Sequence, residues 1–323
     1  MTPEMIEAAA RRLRGRARVT PMLSSPFLDE IAGRRVLVKA ECLQHTGSFK
    51  FRGAWAAVSA LAPEIRARGV LAYSSGNHAQ GVAYAARLHG VPAVIVMPQD
   101  APRVKIENTR ALGAEVVLYD RAGGEDRDAI GDRISAARGL TLIRPFDEPE
   151  VIAGQGTTGL EIAAQAAEEG VERADVLVCC GGGGLTSGIA LALAHRAPGL
   201  RARPVEPEGF DDVARSLAAG RIERNPRATG SLCDAILTPA PGAITFPILA
   251  RLAGPGLSVS DDEALRAMAL AFSQLRIVLE PGGAVALAAA LFRPEAVSGA
   301  AVIAVASGGN VDAEVFRRAL DLA

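Results

Sequence analysis

The stretch Asp175-Val176-Leu177-Val178-Cys179-Cys180-Gly181-Gly182-Gly183-Gly184-Leu185 decides the fold. Its first part is a short apolar run, which reads as a strand buried on both faces. Four glycines follow, and Leu185–His195, rich in Ala and Leu, reads as a helix. A buried strand that turns through glycine into a helix is the repeating unit of a parallel sheet covered by helices. Glycines leave the backbone N–H groups unobstructed, and the start of a helix is electropositive, so this turn suits a phosphate. A tight strand–helix turn uses glycine as well. No Lys-Ser/Thr pair follows, which excludes a Walker A loop, and Gly181-x-Gly183-x-x-Thr186 lacks the third glycine of a dinucleotide fingerprint.

The same alternation runs outward in both directions. Upstream, Arg35–Glu41 reads as a strand and Ser48–Leu61 as a helix. Then come strand Val70–Ser74, helix Asn77–His89, strand Ala93–Met97, helix Pro102–Leu112, strand Glu115–Leu118, helix Gly123–Arg138 and strand Leu140–Ile143. Downstream, Ala202–Glu206, Leu257–Val259 and Ala301–Val305 read as strands. Asp211–Ala219, Pro281–Leu291 and Asp312–Leu320 read as helices, and Ser260-x-x-Glu263 is a capping box opening a helix to about Gln274. Pro145-Phe146-Asp147-Glu148-Pro149 reads as a loop and a boundary between two α/β units.

Composition narrows the function classes. The chain has 323 residues, 49% hydrophobic and 22% charged, as expected of a globular protein with a large core. A formal net charge of −1 and only 4% aromatics give neither the field nor the stacking platforms of a nucleic-acid partner. The apolar runs at 284–292 and 300–306 are too short to span a bilayer, and the N-terminus lacks a signal-like apolar core. Cys42, Cys179, Cys180 and Cys233 show no C-x-x-C spacing and read as reduced thiols of a cytoplasmic protein.

Lysine is the informative cation. Of 35 Lys plus Arg, lysine occurs only at 39, 50 and 105, which leaves 32 arginines. Arginine stays protonated, whereas lysine can lose its proton and attack a carbonyl. Lys50, within Thr46-Gly47-Ser48-Phe49-Lys50-Phe51-Arg52-Gly53, is therefore the candidate for covalent chemistry. Two further strand ends are rich in polar groups and glycine: Ser74-Ser75-Gly76-Asn77-His78-Ala79-Gln80-Gly81, suited to a small carboxylate at a helix start, and Ser307-Gly308-Gly309-Asn310. Ligands of open α/β sheets bind beyond the carboxyl ends of strands, so these junctions are expected to converge on one cleft.

Taken together and in this order, Gly47-Ser48-Phe49-Lys50-x-Arg52-Gly53, Ser75-Gly76-Asn77-His78-x-Gln80-Gly81, Gly181–Gly184 and Ser307-Gly308-Gly309-Asn310 resemble the pyridoxal-phosphate (PLP) enzymes of the tryptophan-synthase-β fold, in particular serine/threonine dehydratases and serine racemases. The resemblance implies two open, mostly parallel twisted sheets covered by helices (PLP fold type II). It implies a small domain at 47–147 inserted into a larger one formed by 1–46 and 148–323. By the same resemblance, Lys50 holds the cofactor aldehyde and later removes the substrate α-proton. Gly181, Gly182, Gly183, Gly184 and Leu185 hold the phosphate, Asn77 the ring oxygen and Ser307 the ring nitrogen, and Phe49 packs on the ring. Ser75 is the acid/base on the opposite face, and Ser74, Ser75, Gly76, Asn77 and His78 bind the substrate carboxylate.

Spacing alone makes Glu206, Glu208, Asp211 and Asp212 an exposed acidic loop; the resemblance makes Glu206, the Phe210 carbonyl and Asp212 a site for Mg²⁺ or Ca²⁺. Phe146 and Thr229-Gly230-Ser231-Leu232-Cys233-Asp234 depart from patterns common in well-known members, which bears on the substrate. The expected activity is dehydration and deamination of a small β-hydroxy amino acid, L-threonine or L-serine first, by a homodimer or higher homo-oligomer. Serine racemisation and 3-hydroxyaspartate ammonia-lyase activity are the nearest alternatives, and a nucleotide-dependent oxidoreductase the remote one. The chain ends at Ala323, so no appended amino-acid-sensing domain is expected.

Overall fold

The computed structural model describes residues 1–74, 76–101, 103–120 and 123–322. Among the described residues, ten strands form two sheets: β1 Met22–Ser24, β2 Arg35–Lys39, β3 Val70–Tyr73, β4 Ala93–Pro98, β5 Glu115–Tyr119, β6 Thr141–Leu142, β7 Ala174–Cys179, β8 Leu200–Pro207, β9 Leu257–Val259 and β10 Ala301–Val305. The six-stranded sheet runs β1-β2-β10-β7-β8-β9 and the four-stranded sheet β5-β4-β3-β6. Every pairing is parallel except β1 with β2. The expected α/β class with two mostly parallel, helix-covered sheets is thus what the chain adopts.

Strand order explains where the site lies. From β7 the chain moves to β8 and β9 on one side, while β10 pairs on the other, so the order reverses between β7 and β10. In the smaller sheet it reverses between β3 and β6. Helices diverge to opposite faces at such points and leave a crevice beyond the strand ends. The chain leaving β7 is the glycine turn, that leaving β10 is Ser307, that leaving β3 is Ser74, and that leaving β6 is Pro145-Phe146.

The core beneath these ends is apolar and close-packed. In the helix Pro281–Phe292, every residue from Pro281 to Leu291 is buried, which its Ala- and Leu-rich sequence permits on all sides. It packs with β7, β8 and β10 and the helix Asp261–Leu270.

Several boundaries differ from the sequence expectation. The helix after Gly47 begins at Lys50 and not Ser48, because Ser48 is extended and bridges Gly308, and Phe49 N–H donates to Ser307 O at 3.1 Å. The helix expected from Gly123 begins at Arg127, where Asp126 Oδ1 accepts from the N–H groups of Asp128 and Ala129. The helix Thr245–Leu252 is an addition to the expected elements; its Pro247 falls in the first turn, where proline is tolerated. The helix from Asp261 has its capping box in place and passes into a wider π turn at Ala271–Leu275 before a left-handed Arg276.

Candidate active site

The four strand ends surround one cleft, with an empty volume of ≈ 1140 Å³ counted out to its open mouth. Phe49, Lys50, Ser74, Gly76, Asn77, His78, Gly181–Leu185 and Ser307 all line it. Ser75 lies outside the described residues.

Lys50 is the first residue of its helix, and its Nζ donates to Pro145 O at 2.8 Å and lies 5.2 Å from the centre of the Phe49 ring. Burial disfavours its ammonium form and lowers its pKa to about 8, against the opposing pull of the Glu280 charge. A lysine at this value is half neutral near pH 8, whereas an ordinary one stays almost wholly protonated there. Reductive fixation of an aldehyde on Lys50 in the cofactor-free protein is therefore expected to rise with pH about a midpoint near 8 and not 10.5. Peptide mapping of the fixed adduct against pH checks this.

Glu280, for which the sequence offered no motif, is the acidic neighbour. It is buried, lines the cleft, and its Oε1 accepts from Asn77 Nδ2 at 2.6 Å. Burial raises its pKa to about 7, a shift that the Asn77 hydrogen bond limits. Asn77 Oδ1 in turn accepts from Asn310 Nδ2 at 2.7 Å, and Asn310 Nδ2 also donates to Thr46 O at 2.8 Å. The Asn77 amide is thus clamped on both sides, with one N–H still to donate.

The helix Asn77–His89 has no side-chain cap, and Ser74 Oγ accepts the Gly76 N–H at 3.1 Å. The N–H groups of Asn77 and His78 are left without intrahelical partners, as in any first turn. His78 Nε2–H donates to Ile143 O at 2.9 Å, so its buried, unpartnered Nδ1 carries no proton. Burial and the Lys50 charge lower its pKa to about 3. The ring has no proton left to donate to a carboxylate, which leaves the backbone N–H as the donor that His78 can offer an anion.

The glycine turn is braced from behind. Thr245 Oγ1 donates to Gly182 O at 2.7 Å, and Asp147 Oδ1 accepts from Ile244 N at 2.8 Å and Thr245 N at 3.3 Å. Gly183 sits at φ 91°, a conformation that disfavours a side chain, and a Cβ at Gly182 would come within 2.3 Å of the Phe146 ring. The helix Gly184–Arg196 starts without a side-chain cap, and the hydroxyl of Thr186, which lines the cleft, is buried without a partner. Uncapped N–H groups, a helix start and an orphaned hydroxyl make a donor set that fits a phosphate.

The expected metal residues lie elsewhere. Glu206 and Asp212 are buried, which corrects the exposed-loop reading of these two carboxylates. Glu206, one residue before the end of β8, accepts from Val213 N at 2.9 Å and Ala214 N at 2.8 Å, capping the helix Asp212–Ala219. Asp212 Oδ1 accepts from Asn225 Nδ2 at 2.5 Å, while Oδ2 is buried and unpartnered. Burial and mutual repulsion raise Glu206, and burial raises Asp212 to about 6. Among the described residues, no group of three or more His, Cys, Asp or Glu stands ready to hold a metal.

A lysine half neutral near pH 8 and an uncapped glycine-rich helix start line one crevice beyond the strand ends of two mostly parallel sheets, a combination that suits α/β enzymes with a phosphorylated aldehyde cofactor. Comparison with known proteins agrees. Residues 13–308 match the sequence family described as pyridoxal-phosphate dependent enzyme, and the chain belongs to that family. It is 43% identical to an L-threo-3-hydroxyaspartate ammonia-lyase of Pseudomonas sp over 95% of both chains. It is 39% identical to a serine racemase of Schizosaccharomyces pombe, covering 98% of this chain and 96% of the other. The crystal structure of a T.th. threonine deaminase superposes with a TM-score of 0.90 at 44% identity, covering 97% of this chain and 99% of that one.

Proposed function

We propose that this chain is a PLP-dependent ammonia-lyase that converts a small β-hydroxy amino acid to a 2-oxo acid and ammonia. The observation that carries this reading is Lys50, a half-buried amine with a pKa of about 8, lining a cleft that also holds the glycine-rich helix start. Relatives named for hydroxyaspartate, serine and threonine chemistry support the same substrate class.

The backbone of Gly181, Gly182, Gly183, Gly184 and Leu185 would hold the cofactor phosphate, with Thr186 adding its free hydroxyl. Asn77 would serve the ring oxygen and Ser307 the ring nitrogen, with Phe49 on one ring face. When bound, PLP supplies the electron sink for the pair left behind as the α-proton departs. Lys50, neutral in a useful fraction near pH 7–8, takes that proton as general base. The Asn77 and His78 N–H groups orient the substrate carboxylate. The β-hydroxyl leaves as water and one water later returns, so the net change is loss of ammonia. Ser75, which lies outside the described residues, would be the proton donor that a racemase requires, and the racemase relative supports this as a second activity.

Glu206, the Phe210 carbonyl and Asp212 would take Mg²⁺ or Ca²⁺, since a cation would pair the orphaned Asp212 Oδ2 and relieve the repulsion between the carboxylates. Residues 47–147 would form a small domain between the segments 1–46 and 148–323. The protein would work as a cytoplasmic homo-oligomer, which light scattering and fractionation check. No helix among the described residues is long and apolar enough to cross a membrane.

Purified holoenzyme is expected to release 2-oxo acid from at least one of L-serine, L-threonine and L-threo-3-hydroxyaspartate, with lower thermal stability after chelation. No oxo acid from any of the three would overturn the reading, and chiral analysis of recovered serine decides on racemisation.

A further inference from the structure

Lys105 is the cation of the cleft that this chemistry leaves unused. It stands on the helix Arg103–Ala111, and its side chain reaches the cleft wall with only 18% of its surface exposed. Across the mouth, Asp234 Oδ2 lies 3.5 Å from its Nζ and is 69% exposed. Charged N–H···O contacts are normally about 2.7–2.9 Å, so this ion pair is loose. Asp234 keeps its water whether or not Lys105 stays beside it, and the attraction between them is correspondingly weak.

Among the described residues that line the cleft, the formal charges are Lys50, Lys105, Asp234 and Glu280. With Lys50 occupied as the cofactor's anchor and as the base for the α-proton, Lys105 is the cation among them left to face the rest of the substrate. Its charge reaches the floor of the cleft, where it acts on Glu280 against the push of Asp234. The side chain of serine or threonine carries no charge and leaves this arrangement unused. A second carboxylate on the substrate finds a half-dehydrated ammonium whose present partner is easily displaced. A lysine ammonium is a point charge without the fixed fork of arginine, so it can pass from one carboxylate to another by a small swing of its stem.

We propose that Lys105 binds the distal carboxylate of the substrate in place of Asp234, and that the preferred substrate is a β-hydroxy amino dicarboxylic acid of the 3-hydroxyaspartate type. The product would then be a 2-oxo dicarboxylic acid, with ammonia. This rests on the ammonia-lyase reading for its substrate class, while the anion site itself can be tested without turnover.

Two measurements on the holoenzyme separate the cases. In the first, kcat/KM for L-threo-3-hydroxyaspartate is divided by that for L-serine in wild type, Lys105→Gln and Lys105→Arg. The ratio is expected to exceed 10 in wild type, by a rough estimate, to fall about 100-fold in Lys105→Gln mainly through KM, and to recover in part in Lys105→Arg. In the second, calorimetry compares succinate with butyrate: wild type should bind succinate more tightly, and Lys105→Gln should lose the difference. An equal loss for both substrates in Lys105→Gln, a wild-type preference for serine, or an unchanged succinate preference in the variant would each overturn the proposal. Absence of oxo acid from every substrate, with the succinate preference intact and dependent on Lys105, would overturn the ammonia-lyase reading and leave the anion site standing.

Discussion

Lys50→Ala is expected to lose turnover by at least about 10³-fold, since one residue is both the covalent anchor and the base. Borohydride should no longer fix the cofactor to the chain, and a small primary amine added to the buffer should restore a fraction of the activity. Retained turnover would show that another group takes the α-proton. A second readout is independent of catalysis. In the cofactor-free protein Lys50 titrates near 8, and an unfolded lysine near 10.5. The unfolded chain therefore binds more protons between these values, so the contribution of Lys50 to stability rises with pH across that window and is unfavourable below it. Lys50→Met, which keeps the apolar stem, is expected to stabilise the cofactor-free protein at pH 7 by about 2 kcal/mol. Urea unfolding at pH 7 and pH 10 measures both the gain and its decline.

Arg52→Met is the substitution expected to cost most in stability. Arg52 is 1% exposed and donates through Nε and Nη2 to Glu41 at 2.8 and 2.7 Å, and through Nη1 and Nη2 to Glu161 at 2.7 and 2.8 Å. Lys39, also buried, donates to Glu161 at 2.6 Å, to Gln165 at 2.9 Å and to the carbonyl of Thr20 at 2.7 Å. Two cations thus balance two anions, with Thr20 adding a hydrogen bond to Glu41 at 2.6 Å. Burial alone would raise the pKa of Glu41, but the Arg52 guanidinium overcomes it and holds the carboxylate below its usual range. Removing Arg52 leaves two carboxylates to one cation, and that cation, Lys39, is hydrogen-bonded to Glu161 and not to the buried Glu41, which costs about 3–5 kcal/mol. Glu41 of the wild type stabilises the fold above the unfolded value of 4.5 and stops doing so as pH falls through its lower folded value. In Arg52→Met that carboxyl is free to protonate at higher pH, so the deficit should shrink between pH 7 and pH 5. A deficit under about 1 kcal/mol at pH 7 would show that the cluster is incidental to stability.

This cluster also explains why Lys50 stands where it does. Arg52 lies two residues beyond it in the same helix, and its fork fastens the start of that helix to Glu41 on one side and Glu161 on the other. The sequence drew attention to Lys50 by the scarcity of lysine, but it contained no sign that Glu41, Glu161 and Lys39 would meet beneath it. Those residues are scattered across more than a hundred positions, and pairing at such separations leaves no periodic trace.

What the sequence determined by itself is local. The alternation of buried strand and helix is a matter of short-range pattern, and so are the glycine-rich helix start at Gly181–Gly184 and the scarcity of lysine that singles out Lys50. Each follows from the size, branching and charge of neighbouring residues. Four motifs in a familiar order then implied the family and most of the site. The tertiary structure alone decided how these parts face one another, because strand order is set by long-range packing. It brought Glu280 against Asn77, turned the His78 ring onto Ile143, buried Glu206 and Asp212, and set Lys105 opposite Asp234. It also placed the turns after β3, β6, β7 and β10 around one crevice, since reversal of strand order sends neighbouring helices to opposite faces and leaves those ends uncovered.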